Sequence, residues 1–146
     1  MPATPPADTT FPNGFASINL NGGAPGSSTS VTIQYTTPVP AGVVYMKYGK
    51  SPDGFNCSGA GCTQNHWYQM PPAQAVIAPD RKSVTLTITD GGVGDDDLTA
   101  NGSITDPGGL ALMSMVNSIP TLSQWAMVIT AALIALAAAV GRRRHI

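Results

Sequence analysis

The stretch GDDDLTANG places three carboxylates, Asp95, Asp96 and Asp97, and the amide of Asn101 on one short connection. Hard cations such as calcium take several carboxylate and carbonyl oxygens gathered on one loop, so these four residues are the candidate metal ligands. From Asp97 the chain reads D-x-T-x-N-G, like the first half of an EF-hand loop, yet Gly108 falls at the twelfth position, where an acidic residue should close the site. The alternative is a solvated Asx-turn with the three carboxylates spread into water.

A second cluster is CSGAGC, where Cys57 and Cys62 are close enough to close a disulfide across a small loop in an oxidising compartment. Two unrelated thiols are the plain alternative, and a zinc site with His66 would need a further ligand that the neighbourhood does not supply. His66, Trp67 and Tyr68 could line an aromatic ligand patch. Strand alternation instead buries Trp67 and leaves its neighbours at the surface, which makes ordinary core packing the expectation.

Several chemistries are excluded by what is missing. The chain has 8 acidic residues, every one an aspartate, and no G-x-S-x-G, P-loop or H-E-x-x-H pattern occurs, so no catalytic residues and no enzyme are expected. The second histidine, His145, stands among terminal arginines far from His66. All the aspartates precede residue 107, and only Lys47, Lys50, Arg81 and Lys82 accompany them, so the body is mildly acidic and offers no basic groove for nucleic acid.

The elements that must position these residues read as strands. In 146 residues there are 16 glycines and 13 prolines and only 10% charged side chains, a balance that favours strands and turns over surface helices. Residues 1–12 have no periodicity and are expected to form a disordered linker, MPATPPADTTFP lacking both the basic stretch and the apolar run of a secretory signal. Either the chain is not exported or its true start lies upstream, as in a piece of a longer surface protein.

From residue 13 to residue 110 the pattern predicts an antiparallel β-sandwich of six to eight short strands. A strand is expected at about 14–20, another where Val31, Ile33 and Tyr35 alternate with Thr32, Gln34 and Thr36, and a third over 43–48. HWYQM and AVIA give two short strands. KSVTLTITDGG is the most regular, alternating Val84, Leu86 and Ile88 with Thr85, Thr87 and Thr89, and SITDPGG gives a brief last strand before a linker over 111–118.

No charged residue occurs between Asp106 and Arg142. The span of about 122–141 has the roughly twenty apolar residues that cross about 30 Å of hydrocarbon as a helix, so one C-terminal transmembrane α-helix is expected. Trp125 suits the interfacial belt, and Arg142, Arg143 and Arg144 would hold the far end on the cytoplasmic side, with the β domain outside and the lipid bilayer as a partner.

The string IPTLSQWA, followed by this apolar run and terminal arginines, resembles the IPTL-CTERM protein-sorting domain of Gram-negative bacteria, over residues 119–146. Ile119, Pro120, Thr121, Leu122 and Trp125 coincide with the family's signature; Ala126 stands where the family has glycine. The resemblance implies a partner, an exosortase-like transpeptidase, and a place in the Gram-negative cell envelope: first the inner membrane as a single-pass protein, then the cell surface or extracellular matrix. The body is similar to a choice-of-anchor U domain in MKYGKSPD, HWYQM and VTLTITDGGVGDDDLTANGSITDPGG, a family that implies placement before an anchor rather than a reaction. The expected function is therefore a non-catalytic surface module carrying a sorting signal. The alternative is a module that binds calcium or a surface polysaccharide through Asp95–Asn101 and keeps a permanent membrane anchor.

Overall fold

A computed structural model describes residues 4–114. They form two antiparallel sheets built from eight strands. In chain order these are β1 (Thr9–Thr10), β2 (Ala16–Asn21), β3 (Ser28–Gln34), β4 (Val44–Gly49), β5 (His66–Gln69), β6 (Ala75–Ile77), β7 (Ser83–Thr89) and β8 (Ser103–Met113), with a single 3₁₀ turn at Gly59–Gly61. The larger sheet runs β1-β8-β4-β5, with β2 also paired to β8, and the smaller runs β3-β7-β6.

The smaller sheet follows from simple alternation. Along β7, Val84, Leu86 and Ile88 are each 0% exposed, while the threonines between them face outward. On that outer face the register Ser28↔Thr89, Ser30↔Thr87, Thr32↔Thr85 brings hydroxyls together at 2.7, 3.0 and 3.0 Å, so the threonine-rich side of one strand is satisfied by its neighbour. The buried side meets Tyr45, Tyr68, Ile104 and Leu110 of the larger sheet in one core.

The last strand is longer than SITDPGG suggests. β8 runs for 11 residues to Met113 and occupies the middle of its sheet, with Gly108 paired to Ala16 on one edge and to Lys47 on the other. The ladder with β4 ends at that pair, beside Pro107, which has no N–H to extend it. Residues 111–113, expected as linker, thus belong to the sheet. The described part of the segment expected to be disordered, residues 4–12, is also ordered: Thr9 and Thr10 pair with Met113 and Leu112, and Ser114 N–H donates to Asp8 at 2.8 Å. Two residues are too few to show a period, and the partner strand decides their conformation. The span 122–141 expected to cross the membrane lies outside the described residues.

Gly108 marks a tight crossing between β8 and β4. A Cβ there would stand 2.7 Å from the Tyr45 ring and 2.8 Å from the Met46 carbonyl. Gly108→Ala should therefore destabilise the domain by about 1–3 kcal/mol. Gly61→Ala, where nothing lies within 4 Å of the added atom, should stay within about 0.5 kcal/mol of the parent. Urea unfolding of the two variants checks the contrast.

Candidate functional site

The acidic connection between β7 and β8 is folded by its own carboxylates. Asp90, at the end of β7, accepts Gly26 N–H and Gly102 N–H on Oδ2 at 2.8 and 2.7 Å, and Asn101 N–H on Oδ1 at 3.3 Å. It thereby ties the β2–β3 turn to the start of β8. Burial works to raise the Asp90 carboxyl, but the amides of Gly102, Gly26, Asn101 and Ser103 together outweigh it and hold the group below the usual carboxylate range. Gly91, the next residue, has φ +75°, and a Cβ there would stand 2.7 Å from Ala100 N, so glycine is required at this turn.

The three adjacent aspartates fan out. Asp95 is buried and accepts Gly91 N–H on Oδ2 at 2.8 Å and Thr105 N–H on Oδ1 at 3.2 Å. Asp97 is exposed and accepts Thr99 N–H at 2.8 Å and the Asn101 side-chain amide at 2.7 Å, an Asx-turn. Asp96 lies between them; its N–H donates to Thr105 O at 3.0 Å, and its Oδ1 is buried with no hydrogen-bond partner. The candidate calcium ligands Asp95, Asp96, Asp97 and Asn101 therefore do not converge, and among the described residues no group of three His, Cys, Asp or Glu side chains could hold a metal.

Beneath this loop lies a charge pair. Lys47 Nζ stands 3.2 Å from Asp106 Oδ1, and both side chains are 0% exposed. Tyr45 OH donates to Asp106 Oδ2 at 3.1 Å, and Lys47 Nζ donates to Thr105 O at 3.1 Å. The pair arises from strand parity: Lys47 shares a face of β4 with Tyr45, and Asp106 shares a face of β8 with Ile104 and Leu110, so both point into the core. Gly49, next on that face of β4, makes room for the loop. A Cβ there would collide with Asp96 Oδ1 and lie 3.3 Å from Lys47 Cε.

Desolvation pushes the Lys47 amine below its usual range and the Asp106 carboxyl above its own, so both shifts favour the uncharged forms. The Asp106 carboxylate opposes the first shift, and the Lys47 ammonium and the Tyr45 hydroxyl oppose the second. Burial, with Asp106 beside it, also raises the Tyr45 phenol, which stays a hydrogen-bond donor.

Cys57 and Cys62 are joined as a disulfide. The loop they close packs through Ser51, fully buried, whose hydroxyl donates to Phe55 O at 2.8 Å. His66 Nδ1 donates to Gln64 O at 2.9 Å, and its Nε2 lies 3.2 Å from Ser51 Oγ. Tyr68, not Trp67, enters the core. The reason is register: Tyr68 pairs with Lys47 and Trp67 with Tyr48, and directly opposed residues share a face. Trp67 joins Tyr48, Phe11 and Phe15 in an outer aromatic cluster, with ring centroids 5.3, 5.2 and 5.6 Å away.

The sequence reading missed Lys47 and Asp106. Each sits in phase with buried apolar neighbours, and that phase is the signal that would have found them.

Residues 117–144 match the family model of the IPTL-CTERM motif. The match takes in Ile119, Pro120, Thr121, Leu122 and Trp125 together with Arg142, Arg143 and Arg144, all outside the described residues. No curated protein and no solved structure matches the chain. The motif implies a surface protein with a C-terminal sorting signal, processed by an exosortase-like system and placed in the cell envelope or at the surface.

Two outcomes follow from the carboxylates. Asp95→Ala leaves two backbone amides without an acceptor and should lower stability by about 2–4 kcal/mol in urea unfolding, while millimolar calcium should leave the melting temperature unchanged. Asp90 has a depressed folded-state value, so its contribution is complete above about pH 4 and declines as pH falls through that value. The stability gap between the parent and Asp90→Asn should therefore narrow in acid, read from urea midpoints measured from neutral pH downward.

Proposed function

We propose that the chain is a non-catalytic module of the Gram-negative cell envelope, held in the inner membrane by a helix over about 122–141 and then processed by an exosortase-like transpeptidase. The observation that carries this reading is the IPTL-CTERM match over residues 117–144. Three features support it. The span from Leu122 to Gly141 has no charged residue, and three arginines follow it, as the positive-inside bias requires of a cytoplasmic end. The Cys57–Cys62 disulfide fits an oxidising compartment outside the cytoplasm. The resemblance of the body to a choice-of-anchor U domain fits a body that stands before an anchor.

In this reading Ile119, Pro120, Thr121, Leu122 and Trp125 are the recognition residues, and Arg142, Arg143 and Arg144 set topology. The β domain is cargo: its carboxylates hold its own loops together, and its role is to survive outside the cell.

The test is the intact mass of the mature protein taken from its native envelope, with a tag in the β domain. A mass that ends near Thr121 is expected. Mature protein that still carries RRRHI would overturn processing and leave a permanent single-pass anchor.

A further inference from the structure

We infer that Lys47 Nζ and Asp106 Cγ condense to form an intramolecular isopeptide bond that joins β4 to β8. The amine and the carboxyl oxygen are already 3.2 Å apart, both are fully buried, and they project from adjacent antiparallel strands. Two reacting groups held at contact distance have a large effective concentration, so a condensation that is negligible between free side chains in water becomes an intramolecular step.

The surroundings supply what the reaction needs. A protonated amine has no lone pair to attack with, and an ionised carboxylate is a poor electrophile, so the reactive combination is the neutral pair. Desolvation moves both groups in that direction, and a proton passing from Lys47 Nζ to Asp106 Oδ1 produces it directly. Tyr45 OH, 3.1 Å from Asp106 Oδ2, is placed to stabilise negative charge that develops on that oxygen. Thr105 O accepts from Lys47 Nζ and holds the amine in place.

Asp96 is the proton carrier in this scheme. Its Oδ1 is buried with no hydrogen-bond partner. It lies beside Gly49 on the same side as Lys47 Cε, and its charge acts on both Lys47 and Asp106. Asp95, by contrast, has both oxygens engaged by backbone amides.

The step balances without an oxidant or co-reactant. The Lys47 lone pair forms a C–N bond to Asp106 Cγ, and the carbonyl electron pair moves onto Oδ2 beneath the Tyr45 hydroxyl. Asp96 takes a proton from nitrogen and delivers it to the Oδ1 hydroxyl. The Cγ–Oδ1 bond breaks, the carbonyl re-forms, and one water leaves, its oxygen being the former Oδ1. The product is a neutral amide in the place of two buried charges.

The experiment is the intact mass of the full-length chain, folded in detergent, followed by proteolysis and fragmentation of the peptides. The expected result is a mass lower by one water, beyond the two hydrogens lost in the disulfide, and a branched peptide linking Lys47 to Asp106. Localisation to that branch separates the bond from succinimide formation at Asp90-Gly91, which also loses water. A cooperatively melting protein with no such branch would overturn the inference. Asp96→Asn keeps the shape of the side chain and leaves the pair intact; bond formation after cell-free synthesis should slow by about a hundredfold or more. Unchanged kinetics in that variant would remove Asp96 from the mechanism.

Discussion

An ammonium and a carboxylate taken out of water each cost several kcal/mol unless they meet each other and find further hydrogen bonds. Lys47 and Asp106 impose that condition at the centre of this domain, and much of the surrounding structure can be read as meeting it. Tyr45 and the Thr105 carbonyl supply the further hydrogen bonds, one to Asp106 Oδ2 and one from Lys47 Nζ. Gly49 and Gly108 keep space clear beside β4, the first for Asp96 and the second for the Tyr45 ring. The loop after β7 covers the pair, and that loop is held by Asp95 to Thr105, the residue before Asp106. Sheet pairing, loop closure and charge neutralisation therefore converge on the same few residues of β8.

The same economy explains the scarcity of charge. Asp90, Asp95 and Asp97 each engage backbone amides or a neighbouring amide side chain, which stitches the turns of a glycine-rich domain together. The hydroxyl ladder between β3 and β7 and the Cys57–Cys62 disulfide serve the same end on the outer face and in the loop between β4 and β5. A module that relies on internal stitches suits an exported protein whose C-terminal segment carries the sorting motif.

What the sequence made legible is what local periodicity encodes. β7 alternates over all seven of its residues and β3 over its last four, from Val31 to Gln34, so their inward faces were readable before any partner was known. The sorting motif was readable because it is a contiguous string. Trp67 and Tyr68 were not, since four residues of β5 fix no phase and only the pairing of Tyr68 with Lys47 decides which ring goes inward. Lys47 and Asp106 escaped because a charged residue is ordinarily placed in water, although each keeps time with buried neighbours. The aspartates of the loop were read as a possible cation site because a sequence shows that carboxylates are adjacent but not where each one points. Thr9–Thr10 was hidden for a similar reason: its strand exists through Leu112 and Met113, which are far away in the chain.

The central claim is that Lys47 and Asp106 act as one unit, and a double-mutant cycle tests it most directly. Lys47→Met and Asp106→Leu each remove the inferred bond and leave the other group buried without its partner, so each should destabilise the full-length chain in detergent by at least about 3–5 kcal/mol. The double variant should lose far less than the sum of the two. Additive losses, agreeing with the sum within about 0.5 kcal/mol, would show two independent residues and contradict the account.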